Sequence, residues 1–236
     1  MKLKPFFKHF GSKWQSAYLY PAPEFPVIHE PFAGGAGYSL NYADRNVLLF
    51  DTDPQIRDLW RWLIHDATES LVREIPLDFP EGYDLRTSGL SYHQALLCKK
   101  WQRTFDNPKS WTISSWGNKP GQWTESSRNR VAEQISAIRH WRFLDVPYGG
   151  EATHFVDPPY IGNYDYKQPP INFEILAANC RSAPGQVIVC EGLGKDGSVP
   201  TWLPFEPLAE RVTCRRKASQ SHHRMEYIWT NKKTTT

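Results

Sequence analysis

Asp157-Pro158-Pro159-Tyr160 is a run in which each residue type can serve one reaction. An exocyclic amine on a nucleobase is a poor nucleophile, because its lone pair is delocalised into the ring. Two acceptors aimed at its two N–H groups favour a pyramidal nitrogen and localise that pair. The Asp157 carboxylate can be one acceptor and the Pro158 carbonyl the other. Consecutive prolines fix φ and carry no N–H, so the carbonyl keeps its direction. Tyr160 adds an aromatic face for a base taken out of its stack, a contact worth roughly 1–3 kcal/mol. The same four residues also suit a plain Pro-rich turn behind a strand.

A second run bears on that choice. Glu30-Pro31-Phe32-Ala33-Gly34-Gly35-Ala36-Gly37 follows a strand pattern about 120 residues upstream. Gly34, Gly35 and Gly37 let a backbone turn sharply and approach a ligand closely. The spacing departs from a dinucleotide fingerprint, and no Walker lysine-serine/threonine pair is present. Asp51 ends the next strand pattern, where doubly wound folds place an acid on ribose hydroxyls. A ribose acid without phosphate-binding features suits S-adenosylmethionine, which has adenosine and no phosphate.

These residues need a sheet to hold them. Strand patterns cover residues 27–30, 47–51, 153–157, 186–190, 210–214 and 226–230. Helical patterns intervene at 37–43, 54–65 and 172–181, the second with Ile56, Leu59, Trp60, Leu63 and Ile64 on one face. Alternation of this kind predicts an α/β, Rossmann-like fold with a mainly parallel sheet. The last two strand patterns, joined by a basic stretch, predict an antiparallel hairpin at the sheet edge. Residues 76–125 break the rhythm: Pro, Gly, Ser and Asn surround Trp101, Trp111, Trp116 and Trp123. A helix is expected over 127–141, burying Val131, Ile135 and Ile138 and showing Arg128, Arg130 and Arg139. The expected organisation is a catalytic domain from residues 1–65 and 143–236, with 66–142 as an inserted recognition subdomain.

Charge points to a polyanion. The net charge is only +3, yet residues 99–142 hold nine Lys/Arg against three acids, and 211–233 hold seven against one. Two basic patches on an otherwise acidic body fit double-stranded DNA gripped at chosen surfaces. Trp116, Asn118, Lys119, Arg128 and Arg130 are the candidate contacts in the first patch, and Arg215, Arg216 and Lys217 in the second. The ten Trp suggest exposed aromatic surface as well as core. The four Cys form no Cys-x-x-Cys pair, so free thiols, a cytosolic setting and no metal site are expected. No signal peptide or membrane-spanning run is evident, and no obligatory protein partner is inferred.

Together these segments resemble the Dam-type DNA adenine-N6 methyltransferases, in which the cofactor motif precedes a recognition insert and Asp-Pro-Pro-Tyr comes last. Phe7-Lys8-His9-Phe10-Gly11-Ser12-Lys13 is similar to the family's N-terminal motif, with His9 in place of its cofactor-contacting tryptophan. The glycine run, Asp51 and Asp157-Pro158-Pro159-Tyr160 match the family's cofactor loop, ribose acid and catalytic motif. The resemblance implies Lys13 near the cofactor or reacting base, Phe32 and Gly34 around the cofactor, and Asp157 with Tyr160 at the target amine. It also implies His9, Gly35, Gly37 and Asp157 as cofactor contacts. No counterpart of the GATC-reading stretch is present. Three other readings share some of these features: RNA guanine-N2 methylation, DNA cytosine-N4 methylation, and a DNA-binding module with a decayed site. The gap of about 120 residues argues against the first, Asp157 in place of Ser against the second, and the intact motifs against the third.

Overall fold

The computed structural model describes residues 2–9, 11–102, 110–113, 122–160, 171–192, 201–202, 212–213 and 225–231. Two compact units emerge. One comprises Met1–Trp14, Gly34–Asp44 and Asp53–Phe143, and the other Gln15–Ala33, Arg45–Thr52 and Leu144–Thr236.

The second unit holds the sheet. Its strands are β1 (Val27–Glu30), β2 (Asn46–Leu49), β3 (Ala152–Val156), β4 (Gly185–Gly192), β5 (Val212–Thr213) and β6 (Met225–Thr230). They lie side by side in the order β2-β1-β3-β4-β6-β5. The first four are parallel, and β6 pairs antiparallel with both β4 and β5. The chain is therefore a mixed α/β, Rossmann-like protein with an antiparallel pair at one edge. All five residues of β3 are buried, as are Val187, Ile188, Val189 and Cys190 on β4. Burial on both faces explains the apolar run Val187–Cys190 of β4, while in β3 the buried polar residues Thr153 and His154 are hydrogen-bonded. A helix, Phe173–Ser182, joins β3 to β4, capped by the Asn172 side chain on Ile175 N–H.

Two histidines pin β1 to β3. His29 and His154 are register partners, and their Nδ1 atoms stand 3.1 Å apart. His154 Nε2 donates to the carbonyls of Gly150 and Pro184, so its Nδ1 must accept. His29 Nδ1–H therefore donates, while its Nε2 accepts from Tyr148 N–H at 3.2 Å. Both rings work only when neutral. Burial, with His154 alongside, pulls His29 down to about 3, and burial lowers His154 as well.

The first unit is helical. Its α-helices are α1 (Pro54–Arg61), α2 (Glu69–Arg73), α3 (Tyr92–Gln102) and α4 (Glu125–Gln134), and Phe173–Ser182 of the other unit is α5. Ile56, Leu59, Trp60, Leu63 and Ile64 are buried, as the period implies. The α-helical ladder stops at Arg61, however, and widens over Trp62–Asp66, where Ala67 N–H reaches Trp62 O. The expected helix over 37–43 is a 3₁₀ turn, Ser39–Tyr42. The one expected over 127–141 begins earlier, at a Thr124–Ser127 capping box, and tightens into 3₁₀ at Ile135–Ile138. Arg139 is spent on backbone, its guanidinium donating to the carbonyls of Ile64 and Ala67. The expected exposed aromatic surface is carried by Tyr18 and Tyr92 and by none of the described Trp residues. Five of those Trp anchor loops through indole N–H bonds to the carbonyls of Leu3, Gly34, Phe6, Pro76 and Ala43.

The histidine pair yields a pH prediction. A depressed histidine contributes stability that is full above its ordinary value of 6.5 and is lost as pH falls towards about 3. His29 should contribute a slope of up to about 1.4 kcal/mol per pH unit in that window, and His154, also lowered by burial, adds in the same direction. Urea denaturation should give a clearly lower unfolding free energy at pH 5 than at pH 7. Equal values would mean that the rings take up protons without breaking the pairing.

Candidate active site

In parallel sheets ligands sit outside the carboxyl ends of the strands, where strand order reverses. Here β1 is flanked by β2 on one side and β3 on the other. Phe32 follows β1, Asp51 follows β2 and Asp157 follows β3, so three candidates reach one edge on adjacent strands. The edge is tied together by backbone: Phe50 N–H donates to Glu30 O at 3.0 Å, and Ala33 N–H to Phe50 O at 2.9 Å. Phe32 packs on a cluster of Val156, Cys180, Val187, Val189 and Trp229. Pro158 is buried, while Asp157, Pro159 and Tyr160 are half-buried.

The other unit carries the glycine loop with the N-terminal segment. Gly34 has φ 45°, the left-handed region, and a Cβ there would stand 2.7 Å from His9 Cδ2. A Cβ on Gly37 would meet the backbone nitrogens of Lys13 and Trp14 at 2.6 Å and Ser12 Oγ at 2.9 Å. Trp60 Nε1 holds the Gly34 carbonyl at 2.9 Å. The structure thus brings His9, Lys13, Gly34, Gly35 and Gly37 together. Lys13 is buried, its Nζ donating to Gly11 O at 3.1 Å. Burial, then the charge of Lys100, brings His9 down to about 4, with Lys13 adding to the shift and Asp53 opposing it. His9 is therefore neutral at pH 7.

Asp53 and Lys100 are additions to the residues expected from sequence. Asp53 caps α1 through Gln55 N–H at 2.8 Å, and Lys100 Nζ lies 4.0 Å from its carboxylate. An Asp directly before a proline-opened helix is a cap signal that could have found the first. Nothing in the local sequence marks the second.

The candidate DNA contacts are only partly within the described residues. Arg128 Nη1 donates to Ile75 O at 3.1 Å, and Arg130 lies over the Trp101 ring at 5.2 Å. Trp116, Asn118, Lys119, Arg215, Arg216 and Lys217 lie outside them.

The contact at Gly37 is backbone against Cα, so it cannot relax by a rotamer change. Gly37→Ala should destabilise the fold by about 1–3 kcal/mol, as overpacking does. Gly149→Ala, with nothing within 4 Å of its Cβ position, is the control and should leave the unfolding midpoint near wild type. A Gly37→Ala protein as stable as that control would mean that the N-terminal segment does not press on the loop.

A model of the D12 class N6 adenine-specific DNA methyltransferase family matches residues 18–150. That is more than half of the 236-residue chain and takes in Phe32, Gly34, Gly35, Gly37 and Asp51, stopping short of Asp157. A search of curated proteins finds no match. Methyltransferases of the D12 class take their methyl group from S-adenosylmethionine. The chain therefore belongs to the D12 class of N6 adenine-specific DNA methyltransferases, enzymes that methylate the N6 amine of adenine in DNA.

Proposed function

We propose that Asp157, Pro158 and Tyr160 hold the reacting amine, and that His9, Lys13, Phe32, Gly34, Gly35, Gly37, Asp51 and Asp157 hold the cofactor. The observation that carries this reading is the convergence of Phe32, Asp51 and Asp157 on one edge of three adjacent parallel strands. The glycine loop supports it in a narrower way: at positions 34 and 37 a side chain would strike His9 and the backbone of Lys13 and Trp14, so the glycines let the N-terminal segment that carries His9 and Lys13 lie against the loop. When bound, S-adenosylmethionine supplies an electrophilic methyl group on a sulfonium. Asp51 accepts hydrogen bonds from the ribose hydroxyls. The Asp157 carboxylate and the Pro158 carbonyl accept the two N–H groups of the amine and bring its lone pair out of conjugation. The N6 amine would take the methyl carbon as its bond to sulfur breaks, leaving the cofactor as a neutral thioether, and the Asp157 carboxylate would receive the proton that N6 sheds. Tyr160 stacks on the unstacked base.

Residues 66–142 form the target-recognition subdomain in this reading. Trp116, Asn118, Lys119, Arg128 and Arg130 contact double-stranded DNA from it, and Arg215, Arg216 and Lys217 add phosphate contacts from the C-terminal hairpin. The two basic patches of the sequence support that division. A cytoplasmic enzyme for which no obligatory protein partner is inferred completes the reading. Cys98, Cys180 and Cys190 are free thiols, and no described helix is long and apolar enough to cross a membrane.

Two variants separate chemistry from binding. Asp157→Ala should lower turnover at least about a hundredfold, the scale of a lost preorganised contact, while the cofactor Kd stays within roughly tenfold. Asp51→Ala should instead raise that Kd by about ten- to a hundredfold. Calorimetry with S-adenosylmethionine and methyl transfer to plasmid DNA read both. Near-normal turnover in Asp157→Ala would remove the proposed mechanism, and an unchanged Kd in Asp51→Ala would move the ribose elsewhere.

A further inference from the structure

Glu191, on β4, is fully buried and has no part in the chemistry described above. It stands two residues beyond Val189, the register partner of Val156, as Pro158 stands two beyond Val156. On its other side it pairs with Tyr227 of β6. One carboxyl oxygen accepts from Gly192 N–H at 2.9 Å, and the other from the Trp202 indole N–H at 3.2 Å. Trp202 is half-buried and packs on the Val156, Cys180, Val187, Val189 and Trp229 cluster that also carries Phe32 and Tyr227. Its ring centroid lies 5.0 Å from that of Phe173, the first residue of α5.

A carboxyl group withdrawn from water is costly even when its oxygens are bonded, and an apolar side chain would fill the same space without that cost. Here the carboxyl group holds one aromatic ring in one orientation. It does so at the carboxyl edge of the strands, where parallel sheets bind ligands. An unstacked base needs aromatic or apolar surface on both faces, and Tyr160 can cover only one.

We infer that Glu191 is a positioning residue for methyl transfer: it fixes Trp202, which with Phe173 forms the aromatic wall that receives adenine opposite Tyr160. The inference rests on the adenine-N6 reading of the site. Trp202 touches the base, and Glu191 acts on it through Trp202.

The test uses the full chain and a duplex with 2-aminopurine at the adenine identified by methylation mapping. In wild type the indole stacked on 2-aminopurine should hold its fluorescence low in the complex. Trp202→Ala should lower kcat by about five- to a hundredfold, the scale of one lost base–aromatic stack, and raise the fluorescence of the complex. Its KM for S-adenosylmethionine should stay within about threefold. Glu191→Leu should reproduce both effects. Glu191→Gln keeps one acceptor for the indole N–H but turns its amide NH2 toward Gly192 N–H, so its activity should fall between wild type and Glu191→Leu. If Glu191→Leu does not fold, Trp202→Ala and Trp202→Phe decide the matter. A Glu191→Leu protein with a lower melting temperature but unchanged kcat and fluorescence would reduce Glu191 to a fold staple. Unchanged kcat and fluorescence in Trp202→Ala would remove the wall and leave the adenine-N6 reading standing. A wild-type protein that methylates no adenine in any DNA would remove both.

Discussion

The Trp60 indole donates to the Gly34 carbonyl at 2.9 Å, inside a core where Trp60 itself has no exposed surface. Such a bond contributes about 0.5–1.5 kcal/mol net, but breaking it strands a buried donor and acceptor at about 1–3 kcal/mol. The loop it fixes has little freedom elsewhere. Gly34 sits in the left-handed region, and the backbone of Lys13 and Trp14 presses on Gly37. Phe6, Phe7 and Trp141 surround Trp60 with ring centroids 5.2 to 5.9 Å away, so the anchor cannot shift without repacking four aromatic rings. Residues 34–37 are held by a rigid aromatic body and carry almost no side chains of their own. The N-terminal segment can lie directly on the loop backbone only because the loop is built in this way.

The sheet edge depends on a different device. The reach of Asp157 past β3 follows from the register of β3 on β1, and a one-residue slip would turn every side chain of the strand over. Apolar residues alone specify that register weakly when both faces are buried. The His29–His154 bond specifies it, because each ring nitrogen has one role and one partner. Glu30 and Asp157 thereby come to strand ends whose offset is fixed one residue away at His29 and three away at His154.

Much of this was legible in the sequence. β1 occupies the four residues expected, and the other parallel strands shift by one or two residues, because apolar runs between turns mark buried strands well. The antiparallel edge was legible too, since β6 alternates Tyr227 and Trp229 with residues on the other face. Three features were not. α3 is buried nearly all round, with Gln94, Lys99 and Gln102 inside, so no one-sided stripe announces it. Its one signal was the Ser91–Gln94 capping box, where each side chain bonds the other's N–H. The Trp residues suggested exposed surface because composition counts rings without saying which carbonyls their N–H groups reach. The grouping of residues 1–14, 34–44 and 53–143 into one unit rests on contacts between distant segments that share no period. Of the candidate site, Asp157, Asp51 and the glycines are singled out from sequence because each proposed chemistry demands one residue type. Lys100 was not, since only the fold brings it near Asp53 and His9.

The central claim is the identity of the methylated atom, and one measurement reads it directly. The purified chain is incubated with S-adenosylmethionine labelled in the methyl group and with unmethylated plasmid DNA or total RNA in parallel. The nucleic acid is then digested to nucleosides and separated. The account predicts label in N6-methyldeoxyadenosine from the DNA and none from the RNA. Label in N4-methyldeoxycytidine or in N2-methylguanosine would contradict it.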